Sequence, residues 1–127
     1  MADFSDALRI TVSGMRAQST RLRVAAENIA NVETPGYHRK TVSFGALAGD
    51  AGAVAAGPVR LDQTPPERIH DPSNPLADAD GYVEGSNVNL LLEMTDAREA
   101  SRSYEANLKM FEQTRSMSSA LLDLLRR

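Results

Sequence analysis

The run Glu27-Asn28-Ile29-Ala30-Asn31-Val32-Glu33-Thr34-Pro35-Gly36-Tyr37 decides the fold, because a helix has to stop inside it. Pro35 pushes Thr34 out of the helical region. Pro-Gly then suits a type II turn, with Gly36 at positive φ. Asn28 and Asn31 share one helix face, so their amides can bond last-turn carbonyls or the chain just past the turn. Tyr37, fixed by the turn, is placed to fold back onto the helix.

Upstream of this stop the pattern is helical over residues 4–32. Leu8, Met15, Leu22 and Ile29 recur every seven residues, with Phe4, Val12 and Ala26 beside them. A strict seven-residue repeat specifies a narrow stripe facing a partner helix. Gln18 and Ser19 weaken the seam, and Gly14 costs up to ~1 kcal/mol against Ala.

Downstream the chain loses that period. Residues 41–45 alternate weakly and predict a short strand. Residues 45–57 are nearly all Gly and Ala and read as a flexible surface loop. Residues 58–62 and 67–70 predict two short strands around Thr64-Pro65-Pro66. Turn signals fill 71–81, and Tyr82-Val83 predicts a closing strand. The insertion thus spans residues 35–88, between an N-terminal helical segment 1–34 and a C-terminal one 89–127.

The second helix is predicted from about Leu90 to Leu125, with Asn87 and Asn89 as capping candidates. One seven-residue row is Leu90, Ala97, Tyr104, Phe111, Ser118 and Leu125; its companion is Met94, Ser101, Leu108, Arg115 and Leu122. A further apolar row, Met110, Met117, Leu121 and Leu124, appears late. The end of this helix is therefore apolar on more than one side, and one antiparallel partner covers only one side. The fold class expected is mainly α: two long terminal helices in an antiparallel coiled-coil hairpin, with a small loop and β-hairpin insertion. The surplus stripe marks Leu8, Met15, Leu22, Ile29, Leu90, Met94, Ala97, Tyr104, Leu108, Phe111, Met117, Leu121, Leu122, Leu124 and Leu125 as subunit-interface candidates.

Composition agrees with a thin core. The chain has 127 residues, three Phe, three Tyr and no Trp, and aromatic residues supply much of the buried area in ordinary cores. Residues 1–40 carry net +2, residues 41–88 net −5, and residues 89–127 none, which sums to −3. No basic stripe with interleaved aromatics is present, so nucleic acid is not an expected partner. Cysteine is absent, which excludes disulfides and thiolate metal sites. No metal and no cofactor is expected. No apolar run reaches membrane-spanning length, so no direct membrane insertion is expected. The first 20 residues hold no apolar core with a cleavage site after it, so no cleavable signal is visible.

Catalytic patterns are missing: there is no Gly-x-Ser-x-Gly elbow and no phosphate-cradling loop. His70-Asp71 has no nucleophile nearby in sequence and reads as a solvated turn. Gly85-Ser86 reads as a turn into a capped helix. Asp78, Asp80 and Glu84 lack calcium-loop spacing. Arg126 and Arg127 follow an apolar face, but the helix lacks the lysine-rich face of a membrane-surface helix. An assembly subunit, not an enzyme, is the reading that remains, with a soluble coiled-coil adaptor as the alternative.

The opening run, followed by the basic Arg39, resembles the hallmark of the bacterial flagellar rod and hook family. Asn28, Asn31, Thr34, Pro35, Gly36, Tyr37 and Arg39 are the motif positions. Ser13-Gly14-Met15-Arg16-Ala17-Gln18, Asp71-Pro72-Ser73-Asn74-Pro75, Asp80-Gly81-Tyr82-Val83, Asn87-Val88-Asn89 and Ser101-Arg102-Ser103-Tyr104-Glu105-Ala106-Asn107 are similar to the branch that builds the proximal rod. Glu27 departs from the pattern, since many relatives carry a polar amide there, and the Gly/Ala stretch differs most. The resemblance implies a structural subunit stacked helically around an export channel, in the periplasm, carrying torque, with another rod- or hook-type axial subunit as the alternative within the family. It implies as partners copies of the same chain, other proximal and distal rod proteins, the inner-membrane ring and the export apparatus. Export without signal cleavage is part of the same expectation.

Overall fold

The computed structural model describes residues 2–127. Two helices dominate: α1 (Ala2–Ala30) and α2 (Leu90–Leu125). At 1.5 Å per residue they run about 43 Å and about 54 Å. They pack against each other along their length, and three small antiparallel ladders lie between them in sequence.

The stop after α1 forms as the sequence dictates. Gly36 has φ 72°. The Tyr37 N–H donates to the Thr34 carbonyl at 3.2 Å, which closes the turn around Pro35-Gly36. At the start of α2 the Asn89 side chain accepts the Leu92 N–H at 3.3 Å and caps the helix. Asn87, the other capping candidate, does a different job described below.

The helix seam is built from small and polar groups. Ala17, Val24 and Ala25 of α1 and Ala100 of α2 are buried, together with Thr11, Asn28 and Glu93. The most buried row beside Ala97 and Tyr104 is Glu93 and Ala100, continued by half-buried Asn107 and Thr114; of the expected row, Ser101 and Leu108 are half-buried and Met94, Arg115 and Leu122 exposed. Gly14 explains the choice: a Cβ there would lie 3.2 Å from Asn107 Nδ2, so its absence lets the two backbones close up. Close approach favours small partners and turns the larger residues outward. Met94 and Leu122 accordingly stay exposed, while Leu108 is half-buried.

The insertion is more ordered than its composition suggests. Strands β1 (Lys40–Thr41), β2 (Phe44–Ala46), β3 (Val54–Ala56) and β4 (Arg60–Leu61) form one long hairpin: β1 pairs with β4, and β2 with β3. Thr41 faces Arg60 and Phe44 faces Ala56, so residues 42–43 oppose residues 57–59. That one-residue surplus interrupts the ladder between the two strand pairs, beside Pro58, which has no N–H to give it. A second hairpin, β5 (Arg68–His70) with β6 (Tyr82–Glu84), buries Val83.

The Gly/Ala stretch expected to be a flexible surface loop is the tip of the long hairpin, and it lies on α1. Ala53 is buried, the Val54 N–H donates to Ser13 Oγ at 3.1 Å, and Asp50 pairs with Arg9. A Cβ on Gly52 would come within 3.0 Å of Ile10 Cδ1, at a backbone φ of 84°. The small residues are there for close approach, which low complexity alone does not reveal.

Candidate assembly interface

Two features stand out: a hydrogen-bonded joint where the insertion meets the helices, and a large unpartnered apolar surface on α2.

The joint starts at Asn28, which has no exposed surface. Its Nδ2 donates to the Lys40 carbonyl at 2.9 Å, and its Oδ1 accepts the Lys40 N–H at 2.8 Å. The same Oδ1 accepts the Tyr37 hydroxyl at 2.8 Å. Asn31 takes the other option, donating to the Glu27 carbonyl at 2.8 Å and accepting from Thr34 Oγ1 at 3.0 Å. Burial raises the Tyr37 phenol above its usual value, and the nearby Glu27 carboxylate pushes it the same way. Glu27, the departure from the family pattern, pairs with the Lys40 ammonium, and that hydrogen bond raises Lys40 in turn.

Arg39 ties the joint to α2. Its Nε donates to Glu93 Oε1 at 2.7 Å, and its second nitrogen reaches Asp62 at 3.3 Å. Glu93 is only 2% exposed. Burial pulls the Arg39 guanidinium down, but the hydrogen bond and charge of Glu93, with those of Asp62, outweigh it and hold it raised. Asp62 itself is lowered, first by the hydroxyl and amide of Thr64 and then by Arg39.

Asn87 closes the far side. Its Oδ1 accepts the Arg39 N–H at 2.5 Å, and its Nδ2 donates to the carbonyls of Asp62 and Thr64 at 3.0 and 2.9 Å. The Gly36 N–H donates to the Gly85 carbonyl at 3.0 Å, the Asn87 N–H to Tyr37 at 3.2 Å, and the Ser86 hydroxyl to Val32. The motif positions Asn28, Asn31, Thr34, Gly36, Tyr37 and Arg39 therefore converge on one place. Sequence reasoning missed Glu93, Asp62 and Asn87 as members. Glu93 carried a signal: a lone acid inside Leu90-Leu91-Leu92-Glu93-Met94, seven residues before the buried Ala100.

The candidate interface residues divide. Leu8, Met15, Leu22, Ile29, Ala97, Tyr104, Leu108 and Phe111 are half-buried along the flanks of the hairpin. Leu90, Met94, Met117, Leu121, Leu122, Leu124 and Leu125 are exposed, Leu124 by 64% and Leu125 by 72%. Leu91 and Leu92 add to the same surface, at 73% and 63%. Gly14 opposite Asn107 sets the register, so equal steps outward bring Ala2, where α1 begins, opposite about Ser119. By that register residues 120–125 of α2 extend beyond Ala2, and all of them are exposed among the described residues. No described helix is long and apolar enough to cross a membrane. No group of three acidic, His or Cys side chains is placed to hold a metal among the described residues.

Comparison with known proteins matches this architecture at both ends. Residues 8–38 match the family described as Flagella basal body rod protein. Residues 79–124 match the one described as Flagellar basal body rod FlgEFG protein C-terminal. A protein of Agrobacterium fabrum described as flagellar basal-body rod protein FlgC is 44% identical, over 99% of this chain and 98% of its own length. A relative of the same description from Salmonella typhimurium is 40% identical over 91% and 92%. One from Aquifex aeolicus is 39% identical over 92% and 93%. Matches at this level along the whole length, around a motif that forms the structural joint, mean that the chain belongs to the FlgC family of flagellar basal-body rod proteins, whose role is structural and not enzymatic.

Proposed function

We propose that this chain is a subunit of the proximal rod, stacked helically with its copies around the export channel and passing torque outward. Its further partners are other proximal and distal rod proteins, the inner-membrane ring and the export apparatus. It works in the periplasm and is exported without a cleaved signal.

The observation that carries this reading is the exposed Leu and Met surface of α2, above all the end that α1 does not reach. Each Leu-sized side chain moved out of water contributes about 1.5 to 3 kcal/mol. Exposed leucines at both ends of one helix are a standing drive toward neighbours. The joint supports the mechanical part. Asn28, Arg39, Glu93 and Asn87 fix the insertion to the hairpin by hydrogen bonds to backbone and buried charge, so a load on one reaches the other without a hinge.

Deleting the gene and imaging the basal bodies by electron microscopy tests the proposal. Rings without a rod are expected, restored by the intact gene. Normal filaments in the null strain overturn the proposal. If the purified protein closes into a small discrete oligomer instead of an open stack, an adaptor role replaces it. A dilute monomer should also show less helicity by circular dichroism than the two full helices require, because their ends lack neighbours.

A further inference from the structure

The two helices cover each other unevenly. On α1 the buried residues are Ala17, Val24, Ala25 and Asn28, with only Thr11 ahead of them among the described residues. On α2 they are Glu93 and Ala100, and none follows. The seam is therefore deep beside the joint and shallow beyond the level of Gly14 and Asn107. If the helix pair alone held them, both open ends would fray alike, because few buried contacts resist local opening there.

The two ends are not held alike, because the long hairpin lies on one of them. Its strands leave the joint at Lys40 and Leu61, where Asn28 holds Lys40. From Lys40 to Asp50 an extended chain reaches about 33 Å at ~3.3 Å per residue. From Asn28 back to Arg9 the helix covers about 28 Å at ~1.5 Å per residue. The two lengths match closely enough to lay the hairpin along α1. Its tip then grips the helix within about one turn. Asp50 pairs with Arg9, Gly52 sits against Ile10, and the Val54 N–H donates to Ser13 Oγ at 3.1 Å, with Ala53 buried between them. The other open end has no such hold. No hydrogen bond or ion pair joins residues 108–125 to another element among the described residues.

We infer that the β2–β3 tip is a strap that keeps the N-terminal half of α1 folded in the free chain, where α2 alone would let it fray. The joint fixes one end of the strap, and the contacts at Arg9, Ile10 and Ser13 fix the other. The chain between is paired strand, so α1 opens there only when the tip lifts as a unit and uncovers Ala53. The free chain is then asymmetric: α1 is firm from about Arg9 onward, and α2 is loose past Asn107. This concerns the chain by itself, so it stands or falls without the rod reading.

Hydrogen exchange read by mass spectrometry tests it on the full chain, at a dilution where the protein sediments as a monomer. In the unaltered chain, amides of residues 9–17 are expected to exchange at least tenfold more slowly than those of residues 112–122. Asp50→Lys sets like charge against Arg9 and should speed exchange in residues 9–17 at least tenfold, while residues 24–30 and 93–100 keep their rates. Adding Arg9→Glu to Asp50→Lys reverses the pair and should restore part of the protection, which a change of bulk at the tip would not allow. Equal rates for the two open ends of the unaltered chain overturn the strap. So does an Asp50→Lys variant that leaves residues 9–17 unchanged or speeds every segment together, and so does a double variant that recovers nothing.

Discussion

Asn28 holds Lys40 by both of its main-chain groups, the carbonyl at 2.9 Å and the N–H at 2.8 Å, across twelve residues of chain. The amide imitates a strand neighbour and pins the first strand residue of the insertion to the last turn of α1.

Replacing Asn28 by Ala strands the Lys40 N–H and carbonyl and the Tyr37 hydroxyl at a part-buried site. We expect a loss of about 3 kcal/mol, since each unsatisfied buried group costs about 1 to 3 kcal/mol. Urea unfolding of the purified variant reads this directly. Asn28→Asp should be nearly as harmful, because a carboxylate cannot donate to the Lys40 carbonyl.

Arg39 neutralises Glu93, so removing the arginine leaves a buried charge. Arg39→Ala is expected to cost about 3 to 5 kcal/mol, the range for breaking one partner of a buried pair. The double variant Arg39→Ala/Glu93→Leu should recover most of that loss. A double-mutant cycle in urea checks both; equal losses for the single and the double variant would contradict the assignment.

The joint should respond to pH at both extremes. Asp62 is held below its ordinary value of 3.8, so the unfolded chain binds the proton more tightly. Its stabilisation is full above 3.8 and is lost as pH falls through the lower folded value. Asp62→Asn should flatten the acid limb of stability against pH. Tyr37 lies on the other side: its folded value is raised above 10.0, so its contribution is full below 10.0 and is lost as pH rises through the folded value. Tyrosinate absorbance should show a late phase that Tyr37→Phe removes.

Gln18 is the weak point of the seam. Its Oε1 is buried with no hydrogen-bond partner among the described residues. Gln18→Met keeps the shape and removes the unsatisfied oxygen, and should stabilise the protein by ~1 kcal/mol. Thermal unfolding at matched concentration checks the sign.

The helices were legible because their signals are local and redundant. The Thr34-Pro35-Gly36 stop and the Asn89 cap act over three or four residues, and the seven-residue spacing repeats several times. The seam side was harder. Rows one position apart on α2 differ by about 100° of rotation, and hydrophobicity favoured Met94 and Leu108. Backbone approach at Gly14 favoured Ala100 and Asn107, a preference that appears only when both helices are considered together. The partners of Arg39 lie 23 and 54 positions away at Asp62 and Glu93, beyond the reach of any spacing rule. The Gly/Ala tip was misread for a related reason: smallness signals mobility when a segment is taken alone and close contact when Ile10 lies beneath it.

The hydrogen bond from the Gly36 N–H to the Gly85 carbonyl sets the two ends of the insertion side by side, like the jaws of a shackle. Turns between those jaws that touch neither helix, such as the one across residues 71–81, can lengthen or shorten while the helices keep their alignment. A lineage can therefore vary those outer turns, while the joint and the hairpin tip, which touch the helix pair, are held to one shape.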